Sequence, residues 1–367
     1  MDKISFFPVG NGDSVLMEVD DLTIMTDIHY RAKSEDEDED DYYSFRDDLK
    51  KACKKGKEYR LDYFVSTHPD KDHVLGFETV FHTGEPEKYK SSDDTILIEE
   101  IWVSPYGAAP NYTTGESEAL VKEIKRRKKL QGTAEADEAG NRLRILSKDD
   151  AENNEGTIGD YLAWKLLAPT DDEADIEDSG DEESQNSCND SSLVIRWEYT
   201  NGSKTEFILL GGDAGYAVWE RIRDDFSDEE LEWSVLLAPH HCSRCSLQYK
   251  NDDDEYIDAD DAISALSNVH GKGFVVSSSK KIKKDEDRPP AWEAQQKYLK
   301  ILKDAHEENH KERFLNPQTY GDKEKPKPVI FNLSAKGLIL DRSTKSGAKS
   351  SSVYVGAAAT PATYGSQ

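Results

Sequence analysis

Cysteine and long apolar runs are scarce in this 367-residue sequence, positive charge is outnumbered by negative, and no histidine lies between His82 and His240. The four cysteines, Cys53, Cys188, Cys242 and Cys245, form no evident disulfide framework. Cys242 and Cys245 make one Cys-x-x-Cys, but Cys53 and Cys188 are isolated, so a zinc ribbon lacks its second pair. Cys53 belongs instead to an apolar face. No apolar run approaches the length of a membrane span. The opening Met1-Asp2-Lys3-Ile4-Ser5 lacks the basic-then-apolar order of a secretory signal. The expectation is a soluble, cytoplasmic protein without a membrane contact. With 47 Lys and Arg against 75 Asp and Glu, the net charge of −28 opposes non-specific attraction to nucleic acid or anionic lipid.

Against that background one stretch is dense in chemistry. Ser66-Thr67-His68-Pro69-Asp70-Lys71-Asp72-His73 puts two imidazoles and two carboxylates into six residues. Leu61 to Val65 before it reads as a buried strand, and Val74, Phe77 and Phe81 after it have helical spacing. The cluster therefore belongs on a loop leaving a strand, with a helix just beyond. Four metal-competent groups on such a loop repel one another or stay poorly paired without a cation between them. The plainer reading, a solvated acidic turn with two incidental histidines, is outweighed by matching partners downstream.

His68-x-Asp70-x-Asp72-His73 resembles the HxHxDH signature of the metallo-β-lactamase fold, with Asp in place of the second His. This variant is similar to the one in the C-terminal hydrolase domain of ComEC-type competence proteins. The other signatures of that family occur in the same order. Val9-Gly10-Asn11-Gly12-Asp13-Ser14 resembles VGQGD, and Ile24-Met25-Thr26-Asp27 resembles the strand end that follows it. Asn189-Asp190-Ser191-Ser192-Leu193 resembles NDxSL, Gly212-Asp213 the GD motif, and Pro239-His240-His241-Cys242-Ser243 the PHHGS motif. Together the motifs span residues 3 to about 300.

The resemblance implies an α+β fold, an αββα four-layer sandwich with acidic loop insertions. It places a hydrolase domain over residues 1–342 and a low-complexity tail over 343–367. It also implies a site for two divalent metal ions, Zn²⁺ or Mn²⁺. Asp72, His73, Asp213 and one of His240 or His241 would hold one ion. His68, Asp70 and Asp213, joined by Asp190, would hold the other. Other members of the fold carry a histidine just before the strand that starts at Leu193; here Asp190, or Asn189, occupies that place. Asp213 matches the carboxylate that bridges the metals, its alternative being a cap on a helix from Ala214 to Phe226. Asp27 is expected near the metals, orienting the ligand loop. His29 reads as a neighbouring polar residue without a ligand role. Cys242 stands in place of the usual glycine, with Ser243 completing the motif. Where the family shows His-Pro, this chain has Asp287-Arg288-Pro289-Pro290, so Arg288 either engages a phosphate or pairs with a surface carboxylate. Oxygen-rich coordination through Asp70 favours Mn²⁺ or Mg²⁺ more than a three-histidine site does.

The implied activity is metal-dependent phosphodiester hydrolysis. DNA is the substrate suggested by the resemblance, and the attacking water is bridged between two metal ions, with Asp72 and Asp213 at the catalytic centre. A small phosphodiester is an alternative substrate. A non-catalytic scaffold, binding a basic protein partner through its acidic loops or C-terminal tail, is the alternative of a different class.

Along the chain, Ile4 to Pro8, Ser14 to Val19 and Leu22 to Thr26 read as consecutive antiparallel strands with tight turns. Residues 34–41 are an acidic block that loops out. Phe45, Leu49, Ala52 and Cys53 mark an amphipathic helix. Leu97 to Val103, Asp160 to Ala168, Leu193 to Tyr199, Phe207 to Leu210, Ser234 to Ala238 and Gly273 to Ser277 read as strands. Polar insertions are expected at 106–159, 171–187 and 249–262. Two basic islands stand out: Lys122, Lys125, Arg126, Arg127, Lys128 and Lys129, and then Lys280, Lys281, Lys283 and Lys284. The first reads as a solvated helical face rather than a phosphate contact. Ala294, Tyr298, Ile301 and Leu302 mark a late helix, and Val329 to Leu333 with Leu338 to Leu340 a closing hairpin.

Overall fold

Ile4 and Phe6 alternate with Lys3 and Ser5, and Val15, Met17 and Val19 with Leu16 and Glu18, the period-2 pattern of strands with one face in a core. The computed structural model describes residues 1–31, 43–109, 115–175, 188–284, 288–321 and 325–343, together with the backbone of 354–355. In it these runs become β1 (Asp2–Phe6), β2 (Val15–Val19) and β3 (Leu22–Thr26), paired antiparallel in succession. β4 (Lys54–Lys55) pairs with the start of β5 (Glu58–Val65). β6 (Leu97–Val103) and β7 (Arg142–Ile145) then continue the sheet, so that β3, β5, β6 and β7 run parallel.

The second sheet is built the same way. β8 (Glu155–Ile158), β9 (Leu162–Ala168), β10 (Val194–Asn201) and β11 (Lys204–Leu210) are antiparallel neighbours, and β12 (Trp233–Leu237) joins β11 in parallel. After a separate hairpin, β13 (Gln248–Lys250) and β14 (Tyr256–Asp258), the parallel half is completed by β15 (Val269–Val276) and β16 (Phe314–Leu315). β17 (Val329–Ser334), β18 (Gly337–Leu340) and β19 (Tyr354–Val355) return to the first sheet, with β17 beside β1.

The two sheets face one another across a core to which Ile4, Phe6, Met17 and Trp102 contribute from one side and Trp164, Trp197, Leu210, Leu237 and Phe274 from the other. Trp102 stacks on Trp197, with ring centroids 5.9 Å apart and planes 11° apart. The outer face of the first sheet is covered by helices Arg46–Ala52, Phe77–Val80 and Glu118–Leu130, through Leu49, Phe77, Leu120 and Ile124. Helices Tyr216–Asp225, Asp260–Ala265 and Trp292–Ala305 cover the second through Trp219, Ile222, Ala262 and Tyr298. β12, covered on both faces, is buried along its whole length, as a central parallel strand should be. This is the αββα four-layer sandwich that the motifs imply.

Several expectations change in detail. The helix expected from Val74 to Phe81 is two single turns, Lys71–Val74 and Phe77–Val80, because Gly76 takes a left-handed conformation (φ 81°) against the Tyr30 carbonyl. The polar segment 106–159 supplies β7 and the helix Glu118–Leu130, and residues 249–262 supply the β13–β14 hairpin. The acidic block 34–41 and most of 171–187 and 343–367 lie outside the described residues. No described helix is long and apolar enough to cross a membrane.

Part of the first basic island is internal. Arg127, three residues from Ile124 and seven from Leu120, shares their buried face and is 1% exposed. It donates to Glu123 Oε1 at 2.8 Å and to the carbonyls of Ile98 and Arg142, both at 2.9 Å. Arg126 donates to the same carboxylate and to Asn141. Removing Glu123 strands two guanidinium groups, one of them deeply buried. Glu123→Ala should therefore cost about 3–5 kcal/mol in urea unfolding, against no more than about 0.5 kcal/mol for the exposed Lys122→Ala. Equal losses for the two would contradict this account.

Candidate metal centre

Strand ends position the site. Asp27 follows β3, the His68–His73 loop follows β5, Asp213 follows β11 and His240-His241 follow β12, all at C-terminal ends of parallel strands. Backbone hydrogen bonds tie these loops together: Asp27 N to Val65 O at 2.9 Å, Leu193 N to Thr67 O at 3.0 Å and His240 N to Gly212 O at 2.9 Å. Four imidazoles (His68, His73, His240, His241) and four carboxylates (Asp27, Asp70, Asp72, Asp213) from both sheets thereby reach one place.

Asp213, 3% exposed, is the middle of the arrangement. Its Oδ1 lies 3.1 Å from His73 Nε2 and 3.6 Å from His241 Nε2, and the latter is 3.1 Å from Asp72 Oδ2. Its Oδ2 lies 3.6 Å from His240 Nε2 and 3.9 Å from His68 Nε2, and the latter is 3.8 Å from Asp70 Oδ2. One carboxylate thus separates two sets of ligand-type atoms. The helix expected after Asp213 begins at Tyr216 with Gly215 at its N-cap and no side-chain cap, so Asp213 is not engaged in capping. His68 Nε2, His73 Nε2 and Asp213 Oδ1 are buried without a hydrogen-bond partner. Such atoms are costly to bury in one place unless something satisfies them, and a divalent cation would satisfy all three.

The histidines are adjacent, yet each reaches a different oxygen of Asp213. His240, His241 and Cys242 have φ of 49°, 52° and 65°, three successive non-glycine residues in the left-handed region. Each such residue costs about 1–2 kcal/mol. The turn is held by Ser243 N to His240 O and by Ala291 N to Cys242 O, each 2.9 Å. A glycine would suit position 242: the backbone demands a left-handed conformation there, and the buried Cys242 adopts it under strain.

Outer residues fix the rings. Asp27, fully buried, accepts from Thr67 N at 2.8 Å and from Thr67 Oγ1 at 2.6 Å, and lies 2.7 Å from His73 Nδ1. This directs His73 Nε2 inward. Thr67 Oγ1 and Ser192 Oγ stand 3.1 and 3.4 Å from His68 Nδ1. Asp13 is a further member that sequence reasoning did not assign to the site. It is buried, and its oxygens lie 3.6 Å from His241 Nδ1 and 3.9 Å from His73 Nδ1. Asp13, His73, Asp213 and His241 each place one ligand-type atom within 4.8 Å of the others. Because Asp13 faces the Nδ1 edges while the Nε2 atoms face Asp213, it acts from behind the rings. The Gly10-Asn11-Gly12 turn before it was the available signal. Cys188 was likewise missed: its buried thiol lies against Asp70.

The electrostatics agree with a site that demands positive charge. Burial opposes charge on His241, yet Asp213, Asp13 and Asp72 push its pKa up to about 10. Burial likewise opposes charge on His73, and Asp213 with Asp27 raise it well above the usual imidazole range. Burial would raise Asp213, but His241 and His73 hold it well below the usual carboxylate range. His68, lowered to about 3 by burial and then by His73, is neutral and ready to ligate.

The remaining candidates lie further out. Asp190 and Asn189 are half-buried on the short turn Cys188–Ser191, with Asp190 Oδ1 against Gly215; His240 stands at the flank of Asp213 proposed for Asp190. Ser243 accepts from Cys245 N at 3.2 Å and caps the turn that follows. Arg288 is exposed, beside Pro289. His29 is buried under Gly12, its Nε2 accepting from Arg31 Nε at 3.1 Å.

No protein-family model matches this chain, and no curated protein matches it. Among solved structures it is similar to a CmlA beta-hydroxylase (10% identity, TM-score 0.41), of which it spans about half: 86% of this chain and 52% of that one are covered. It is similar to Igni18, a metallo hydrolase from Ignicoccus hospitalis, at 12% identity and TM-score 0.38, covering 90% of this chain and all of that one. It is also similar to the metallo-beta-lactamase fold protein YhfI from Bacillus subtilis, at 11% identity and TM-score 0.35, covering 86% and 95%.

Gly12 offers a direct probe of the loop that carries Asp13. Its φ is 152°, and a Cβ there would overlap His29 Nδ1 and come 2.7 Å from Asp72 O. Gly12→Ala should lower stability by about 2–4 kcal/mol in urea unfolding and metal affinity by about tenfold or more. Wild-type values for both would show that the loop does not bear on the site.

Proposed function

We propose that this chain is a metal-dependent phosphodiester hydrolase whose two divalent ions share Asp213. One observation carries the reading: the two oxygens of a buried carboxylate face separate pairs of imidazole Nε2 atoms, 3.1 and 3.6 Å away on one flank and 3.6 and 3.9 Å on the other. Asp72, His73 and His241 would hold an ion on the Oδ1 flank; His68, Asp70 and His240 would hold one on the Oδ2 flank. Such a pair, when bound, supplies Lewis-acid polarisation of a phosphoryl oxygen and acidifies water toward neutrality.

The chain's residues supply position and proton handling. Asp27 and Asp13 hold His73 and His241 from behind, and Thr67 and Ser192 hold His68. His240, with 21% of its side chain exposed, marks the side from which substrate enters. Asp70 and Asp72, 31% and 37% exposed, are the carboxylates placed to orient a water and take its proton.

Phosphodiester chemistry is supported by the ordered likeness of the motifs to ComEC-type hydrolase domains and by three hard carboxylates in the set, which suit ions that clamp phosphoryl oxygens. The scaffold alternative has less behind it, since a scaffold has no use for convergent, unsatisfied ligand atoms. Loaded with Mn²⁺ or Zn²⁺, the protein should hydrolyse bis(p-nitrophenyl) phosphate, and Asp213→Asn should lose at least about 100-fold in kcat/KM. Asp70→His should shift the preferred ion toward zinc. No turnover by the wild type with either ion would contradict the proposal, and an unmoved metal preference would remove Asp70 from the coordination sphere.

A further inference from the structure

The two basic islands part company once folded. In the first, Arg126 and Arg127 are committed to Glu123 and to backbone carbonyls. The second begins where β15 ends. Ser277, Ser278 and Ser279 are buried, and the chain then surfaces at Lys280 and Lys281, both exposed.

This surfacing segment is stapled to the loop that carries Asp13. Ser278 Oγ donates to Gly12 O at 2.6 Å, and Lys280 N donates to Asn11 Oδ1 at 2.9 Å. Asn11 Nδ2 donates in turn to Pro289 O at 2.7 Å, so one side chain holds both ends of the segment 280–289. The Lys280 stem lies over Gly10, its Cγ 3.8 Å from where a Cβ would sit. Asp13 N donates to Asp72 O at 3.1 Å. Lys280 is therefore anchored on the loop that carries Asp13, while Lys284 and Arg288 are exposed further along. Asp285, Glu286 and Asp287 lie between those two, so Lys280 and Lys281 carry the inference.

We propose that Lys280 and Lys281 are a phosphate-tracking strap, taking phosphates that flank the scissile one in a nucleic acid chain. This rests on the phosphodiester reading and narrows it from any diester to a polymeric one. At a net charge of −28 the molecule as a whole repels a polyanion. Productive binding then requires cations concentrated beside the site, and a small diester, with no flanking phosphate, does not need them.

The test is fluorescence anisotropy of the full chain with a labelled single-stranded oligonucleotide across a salt series, alongside hydrolysis of the oligonucleotide and of bis(p-nitrophenyl) phosphate in Mn²⁺. The double variant Lys280→Glu/Lys281→Glu should weaken oligonucleotide affinity at least about tenfold and flatten the log–log salt slope by about 1.4, two contacts at roughly 0.7 each. The ratio of kcat/KM for oligonucleotide over small diester should fall by about tenfold or more. Lys122→Glu/Lys125→Glu, from the first island, should leave affinity and slope as in the wild type. An unchanged affinity, slope and ratio in the Lys280/Lys281 variant, with the small diester still hydrolysed, would overturn the strap and leave the hydrolase reading standing. The expected binding changes without turnover of either substrate would support the strap and overturn the hydrolase reading.

Discussion

Everything around the centre follows from the burial of the Asp213 carboxylate between two groups of imidazoles. A lone carboxylate at that depth is expensive to ionise, and so is an unpaired imidazolium. Gathered together they relieve one another only in part: the carboxylates favour protons on His73 and His241 and raise their pKa, while burial lowers that of His68. Cations would replace those protons and satisfy the stranded nitrogen and oxygen atoms at once. The two sheets exist, in functional terms, to bring the ends of β3, β5, β11 and β12 to that one point.

The constraint also explains where the fold accepts strain. Adjacent histidines in an extended chain would point to opposite sides. Here the left-handed backbone of His240 to Cys242 turns both toward Asp213, and hydrogen bonds from Ala291 and to Gly212 hold it. Backbone strain at a site that surrounding contacts over-determine is where function is commonly found. The positive φ at Asp27 belongs to the same economy of space, since that carboxylate must meet Thr67 and His73 together.

Much of this was legible in the sequence, for physical reasons. Strands with one apolar face, such as β1 and β2, announce themselves by period, and the buried runs of β6 and β12 by continuous apolar residues. The His68–His73 loop was legible because its groups are close in sequence, whereas Asp213 was singled out by its likeness to the GD motif, its position before a helix suggesting only a cap. The choice between His240 and His241 was not legible, since it depends on a turn conformation that three non-glycine residues rarely adopt. Ser192 and Cys188 reach the site only through tertiary contact, and Asp13 was signalled by the Gly10-Asn11-Gly12 turn before it. The partly internal character of the first basic island could have been read: Arg127 falls on the helical face of Leu120 and Ile124, and Glu123 is the partner such a burial needs.

The most direct measurement is metal content per chain by mass spectrometry after loading with Mn²⁺ or Zn²⁺ and removal of free ion, on the wild type and on Asp213→Ala. The account predicts about two ions per chain in the wild type and loss of at least one in the variant, because both flanks share that carboxylate. A wild type that retains no ion, or a variant that retains the wild-type complement, would contradict it.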